Sequence, residues 1–177
     1  TLSMISAIVA VDERYGIGSN NEMPWPRHKG DMKWFREHTD NGVVLMGRRT
    51  WESIGAKPLP NRINAVVTKN ELLLARGPAE SYASNPITRP HWVMEGDMKD
   101  VLWDLEKMYA QKNVWVMGGA EIYRQALPYV DNLYLTTIPG KYDCDVFLNK
   151  KQVDSFDHVI FDDTAPDGTR YQIRSRS

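Results

Sequence analysis

Cysteine is nearly absent: Cys144 is the only one in 177 residues, which excludes an intramolecular disulfide framework and a multi-cysteine metal site and points to a reducing compartment, the cytoplasm. An excess of either charge is also missing. With 22 Lys+Arg against 23 Asp+Glu the formal net charge is −1, so no bulk basic field exists for a nucleic-acid backbone or an anionic membrane. Any anion must be met by local groups. No apolar run approaches the roughly 20 residues of a membrane-spanning helix. The longest, Met4 to Val11, contains Ser6 and lacks the basic leader of a signal peptide. The four histidines, His28, His38, His91 and His158, lack H-x-H or H-x-x-x-H spacing, so no metal site is expected. Neither Gly-x-Gly-x-x-Gly nor a Walker pattern occurs, and no Gly-x-Ser-x-Gly elbow does.

What remains suits one compact soluble domain spanning 1–177, with 42% hydrophobic and 25% charged residues and no linker or internal repeat. Met4 to Val11 reads as a central strand buried on both faces. Asp12 to Lys29 is rich in turn formers but carries Ile17, Met23 and Trp25, the composition of a long functional loop. A helix is expected over Asp31 to His38 with Asp31, Met32 and Phe35 on one face, then a strand over Val43 to Met46 and a helix over Arg48 to Gly55. Strands follow at Ile63 to Thr68 and His91 to Glu95, with a mobile loop between them over Gly77 to Pro90. Asp97 caps a helix whose apolar residues Met98, Val101, Leu102, Leu105 and Met108 keep the 3.6-residue period. A strand over Val114 to Met117 leads into a helix over Ala120 to Leu127 that Pro128 closes. Leu133 to Ile138 is a further strand, and Asp157 to Asp163 with Thr169 to Arg174 form an antiparallel hairpin. Alternating strands and helices ending in a hairpin imply an α/β fold with a mostly parallel sheet and an antiparallel edge.

Two points in this pattern repeat. Gly47 and Gly118-Gly119 each place a strand end directly before a helix start, where free backbone N–H groups and the helix dipole favour an anion, although glycine also simply permits a tight turn there. Arg48, Arg49 and Thr50 stand at the first helix start, and Thr68-Lys69 follows another strand end. If these converge they suit a dinucleotide with an extra phosphate; taken singly, each cation is ordinary surface charge. Glu121, in the first turn of the second helix, would repel a pyrophosphate unless it points outward. Asp31 is the sharper feature. A carboxylate on the apolar side of a helix is costly to bury alone, so burial should raise its pKa; the plainer alternative is an acid that complements the helix dipole at the surface.

Taken in order, Ile8-Val-Ala-Val11, Gly16-Ile-Gly18, Met23-Pro-Trp25, Asp31 with Phe35, Met46-Gly-Arg-Arg-Thr-Trp51, Pro58-Leu-Pro-Asn-Arg62, Gly118-Gly119 with Ile122-Tyr123, and Leu133-Tyr-Leu-Thr136 resemble the dihydrofolate reductases. The match is collinear from about Met4 to Phe147, and the C-terminal residues agree only in their hairpin character. The resemblance implies an eight-stranded sheet with flanking helices and hydride transfer from NADPH to 7,8-dihydrofolate, giving 5,6,7,8-tetrahydrofolate. It implies that Asp31 is the pterin-binding carboxylate, with Thr136 in its hydrogen-bond network, Trp25 holding a water nearby and Met23 in the lid. Ile8, Val9, Met32, Phe35, Ile54, Met117 and Tyr123 would surround the substrate, and Arg62 would receive its glutamate α-carboxylate. Ala10, Ile17, Gly18, Gly47, Arg48, Arg49, Thr50, Thr68, Lys69, Gly118, Gly119, Ala120 and Ile122 would line the cofactor, with a cis bond between Gly118 and Gly119. A monomer without nucleic-acid or membrane partners is expected.

Met32, Ala120 and Leu148 depart from the residues usual in the family at their positions. A reductase of the same fold acting on a riboflavin-pathway pyrimidine would not require Asp31, Arg62 and the Met23-Pro-Trp25 lid together. A non-catalytic nucleotide-binding scaffold is the other alternative, and NADPH oxidation with and without dihydrofolate separates all three.

Overall fold

The computed structural model describes residues 3–18, 23–69 and 89–177. Its centre is β1 (Ile5–Val11), in which every residue is buried. A strand hydrophobic on both faces needs neighbours on both edges and cover above and below. It has β6 (Val114–Val116) and β7 (Asn132–Thr137) as parallel partners, with Ala7 opposite both Val116 and Leu133. Beyond β6 lie β3 (Val43–Gly47), β4 (Ile63–Val67) and β5 (Trp92–Met94), all parallel. Beyond β7, the hairpin of β10 (Arg170–Ser175) and β9 (His158–Thr164) adds two antiparallel strands. The sheet therefore has eight strands in the order β5-β4-β3-β6-β1-β7-β10-β9.

Alternation along the strands divides the core in two. Val9, Val11 and Leu45 face α3 (Met98–Met108) and α4 (Ala120–Ala126), joining Val101, Leu102, Leu105 and Tyr123. Ile8, Val44 and Met46 face the opposite way, with Trp51 of α2 (Arg48–Ser53) and with Trp34 and Phe35 of α1 (Lys29–Thr39). Leu102 and Leu105 are almost fully buried, and each such side chain contributes roughly 1.5–3 kcal/mol of transfer free energy. Met108, at the end of the same stripe, is exposed because α3 has run past the sheet.

Several expectations are corrected. Gly16–Gly18 forms a short strand, β2, paired antiparallel with β8 (Val146–Phe147), inside the stretch read as loop. Two glycines offer little side-chain pattern, and the partner lies far along the chain. Helix α1 starts two residues earlier than expected. The Asp97 side chain makes no capping bond, although Asp97 is the N-cap residue of α3. Pro128 lies within a 3-10 turn, Leu127–Tyr129, that continues α4. The small helix α5 (Lys150–Asp154), capped by the Asn149 side chain, had no expectation behind it. Of the Gly77 to Pro90 stretch, all but Arg89 and Pro90 lies outside the described residues.

Candidate active site

The acid comes first because the local chain geometry fixes it. His28 occupies the N-cap of α1 in an extended conformation, and its Nδ1 accepts the backbone N–H of Asp31 at 2.9 Å. Asp31 thus stands in the first turn with its carboxylate towards the sheet, where it forms a hydrogen bond with the buried hydroxyl of Thr136 on β7. Burial raises the Asp31 pKa, while the Thr136 hydroxyl and, when its ring is protonated, His28 oppose the rise. Tyr123 donates to the Ile8 carbonyl at 2.7 Å. The Tyr123 and Tyr171 hydroxyls are both pushed up in pKa, by burial first and then by the Asp31 charge. A half-buried acid among apolar and phenolic groups keeps its proton to higher pH than an ordinary carboxyl and can hold a hydrogen-bonding heterocycle edge.

Beside it, Trp25 is buried against Ala10, Ile138 and Tyr142, with Tyr142 edge-on at 5.7 Å. The Trp25 Nε1 is buried without a partner among protein atoms, a donor left for a small polar molecule. Met23, two residues before, is 61% exposed. Asp12 ties this region together: fully buried, it accepts N–H bonds from Arg14 and Gly16 at 2.8 Å and from Tyr142 at 2.9 Å, with the Cys144 thiol at 3.7 Å. Burial alone would raise its pKa, but these donors together hold it below the ordinary carboxylate value. A Cβ at Gly16 would collide with Cys144 Sγ and stand 2.7 Å from its Cβ, so this contact requires glycine. Asp12, Tyr142 and His28 were missed from the sequence. Their only local signals are an acid directly after a strand and a residue three before Asp31.

The two glycine turns meet. Gly47 N–H donates to the Gly118 carbonyl at 2.8 Å, and a Cβ at Gly119 would lie 3.6 Å from Thr50 Oγ1. Neither helix start has a side-chain cap, so the first N–H groups of α2 and α4 lie side by side without one. Arg48, Arg49 and Lys69 are exposed at the same carboxyl-end edge, where Gly47 is in register with Val67, and Arg48 Nε donates to Glu52 at 2.8 Å. Glu121 points into solvent, where Arg124 and Gln125 pair with it and lower its pKa to about 2. Its expected repulsion is thus countered by Arg124. The Gly118-Gly119 bond is cis.

Among the expected substrate contacts, Ile8, Phe35, Ile54 and Met117 gather on the α1 side of the sheet. Val9 does not, since its side chain faces α3 and α4, leaving only its backbone towards the site. Tyr123 joins that same opposite cluster and reaches the site through its hydroxyl. Met32 is 42% exposed, one position round the helix from the packed face. Arg62 is half-buried, donating to Thr39 Oγ1 at 3.0 Å and to the Pro60 carbonyl at 2.9 Å, with its guanidinium 5.9 Å from the Phe35 ring centre. It also lines a cleft of about 410 Å³ with Asn41, His91 and Lys112. Ile17 is half-buried against the core, and the carbonyl of the buried Gly18 accepts from Asp145 N. Thr68 donates its N–H to Met94, and Ile122 packs against Gly47, whose added Cβ would stand 2.9 Å from Ile122 Cγ1. Among the described residues no three His, Cys, Asp or Glu side chains gather as metal ligands, and no helix is long and apolar enough to cross a membrane.

A sheet covered on both faces, with a half-buried acid beside it and paired glycine turns at the carboxyl ends of parallel strands, defines a nucleotide-dependent α/β enzyme. The family model described as dihydrofolate reductase matches residues 4–175. Dihydrofolate reductase of Haemophilus influenzae is 32% identical over 175 residues, covering 96% of this chain and 94% of that protein. The Bacillus subtilis dihydrofolate reductase is 34% identical over 142 residues, covering 80% of this chain and 73% of that protein. The structure of dihydrofolate reductase from Enterococcus faecalis, complexed with NADP(H) and RAB-propyl, superposes with a TM-score of 0.76 at 24% identity, covering 100% of this chain and 99% of that one, and shows the shared fold. The chain belongs to the dihydrofolate reductase family. It is an NADPH-dependent oxidoreductase that reduces 7,8-dihydrofolate to 5,6,7,8-tetrahydrofolate, supporting one-carbon metabolism and thymidylate and purine synthesis.

Proposed function

We propose that Asp31 is the catalytic carboxylate of this reaction, orienting the pterin and raising the proton affinity of its ring nitrogen, with the proton itself arriving from water. The observation that carries this reading is the half-buried Asp31 carboxylate, beside the buried Thr136 hydroxyl and a Trp25 donor that has no protein partner. Reducing a C=N bond requires a hydride on carbon and a proton on nitrogen; NADPH, when bound, supplies the hydride. The chain's task is to hold two flat rings in contact and keep bulk water out. Ile8, Phe35, Ile54 and Met117 form the apolar wall for the pterin and benzoyl groups; Val9 borders it through its backbone, Met32 from the rim and Tyr123 through its hydroxyl. Thr136 steadies the carboxylate, Trp25 holds a water, and Met23 closes over the site as a lid.

For NADPH, the side-by-side helix starts at Gly47 and Gly119, uncapped by side chains, suit a pyrophosphate. In this reading Ala10, Ile17, Gly18, Gly118, Ala120 and Ile122 complete the lining of the cofactor site. Arg48, Arg49, Thr50, Thr68 and Lys69 meet the phosphates, including the one at the 2′ position. Arg48→Ala and Lys69→Ala should each erode the preference for NADPH over NADH, read as the ratio of kcat/KM for the two cofactors. Unchanged selectivity in both variants places the 2′-phosphate elsewhere.

Arg62 receives the substrate's glutamate carboxylate. That end of the molecule changes little as hydride moves, so Arg62→Ala should raise the dihydrofolate KM by on the order of tenfold with kcat nearly unchanged. A fall in kcat with an ordinary KM would reverse the assignment. The chain acts as one domain over 1–177, as a cytoplasmic monomer without nucleic-acid or membrane partners, a reading supported by its near-zero net charge and lone cysteine. Sedimentation at working concentration, reading a single-chain mass, tests the monomer. The overall test follows NADPH absorbance with and without dihydrofolate: oxidation that depends on dihydrofolate is the expected result, and binding without turnover would favour a scaffold.

A further inference from the structure

We propose that His28 is a positioning residue for Asp31, joining the first turn of α1 to the tip of the β9–β10 hairpin through the two nitrogens of one ring. The inference rests on Asp31 being the catalytic carboxylate of the reaction. N-caps are ordinarily Ser, Thr, Asp or Asn, whose short side chains serve only their own helix. An imidazole reaches further. Because Nδ1 accepts the Asp31 N–H at 2.9 Å, the ring proton resides on Nε2. That nitrogen lies 2.8 Å from Thr169 Oγ1 and 3.3 Å from Asp167 Oδ2, both at the hairpin turn. The turn is itself braced: Thr169 is buried and its N–H donates to Asp167 Oδ1 at 2.9 Å. The first turn of α1 also has no slack against β10, since a Cβ at Gly30 would stand 2.9 Å from the Tyr171 hydroxyl and 3.2 Å from His28 Cε1. A hairpin more than a hundred residues away in sequence thereby fixes where Asp31 stands.

Capping and charging exclude each other in this arrangement. A proton on Nδ1 would face the Asp31 N–H and break the cap, whereas the resulting cation would favour the Asp31 carboxylate. The groups facing this junction are Asp31 on α1, Asp167 and Thr169 at the turn, Tyr171 on β10 and, around the Asp31 carboxylate, Thr136 on β7 and Tyr123 on α4.

His28→Asn tests the proposal, because asparagine can still cap Asp31 but is too short to hold Thr169. The measurement is single-turnover hydride transfer from NADPH to dihydrofolate against pH, with thermal unfolding in parallel. The expected result is a near-normal unfolding temperature, a rate lowered about threefold to tenfold, and a pH midpoint displaced from the wild-type value because the Asp31 carboxylate has moved. His28→Leu should add a loss of stability from the missing cap. A wild-type rate and midpoint in His28→Asn overturn the proposal, whether or not stability falls. Asp31→Asn, with His28 intact, is the separate control: unchanged rate and pH dependence in that variant would remove the Asp31 reading itself.

Discussion

Replacing Asp31 with asparagine should lower turnover at neutral pH by on the order of 10²-fold or more, the lower range of general acid–base contributions, while making the protein more stable. The two effects share one cause. Asparagine keeps the shape and can still accept a hydrogen bond from Thr136, but it cannot carry the negative charge that orients the pterin edge and favours its protonation. That charge is costly to the fold, since burial raises the Asp31 pKa above its unfolded value. A carboxyl raised in the folded state costs nothing below the unfolded pKa, when both states are protonated. Its penalty grows as pH rises and is complete above the folded pKa. Asp31→Asn should therefore melt at a higher temperature than the wild type at pH 7, with the gain shrinking towards zero as pH falls below about 4. Turnover followed by NADPH absorbance, with melting curves at pH 7 and pH 3, checks both. Near-normal turnover in the variant would exclude Asp31 as the catalytic carboxylate.

Much of the sheet was legible because burial on both faces leaves an unmistakable run. Ile5 to Val11 could not be the polar-faced strand of an open sheet, and it lies at the centre. Helix α3 was legible from its stripe of Met98, Val101, Leu102 and Leu105. The glycine breaks announced turns, and the contact between Gly47 and Gly118 follows from β3 and β6 being neighbours. What stayed hidden depends on contacts remote in sequence. Nothing in Gly16-Ile17-Gly18 predicts a strand until Val146 and Phe147 lie opposite. Met32 looked apolar and inward beside Asp31, yet α1 packs through Trp34 and Phe35, turning Met32 outward. Val9 sits next to Ile8 in sequence but faces the other core, because adjacent strand residues point to opposite faces. A lone histidine before a helix gave no hint that its second nitrogen would meet Thr169.

Asp12→Ala should cost about 3 kcal/mol or more of stability, a large share of the margin of an ordinary domain. The buried carboxylate accepts three backbone N–H groups, from Arg14, Gly16 and Tyr142, and alanine leaves all three without it. Hydrogen bonds to a charged acceptor contribute roughly 1.5–3 kcal/mol each, less whatever water entering the space restores. The Asp12→Asn variant divides the loss. Its amide oxygen can retain Arg14 and Gly16, but its NH2 group then faces the Tyr142 N–H, so the local turn survives and the tie to the 142–147 segment breaks. Because Tyr142 packs edge-on against Trp25, this variant should slow hydride transfer several-fold while losing about half as much stability as Asp12→Ala. The pH dependence has the opposite sign to that of Asp31. Asp12 is held below its unfolded pKa, so its contribution is complete above about pH 4 and is lost as pH falls through the lowered folded value. Urea unfolding from pH 7 down to pH 2 should show the gap between wild type and Asp12→Ala narrowing over that acid range. A gap that stays constant with pH would mean that the charge of Asp12 contributes nothing, and that its removal acts through packing alone.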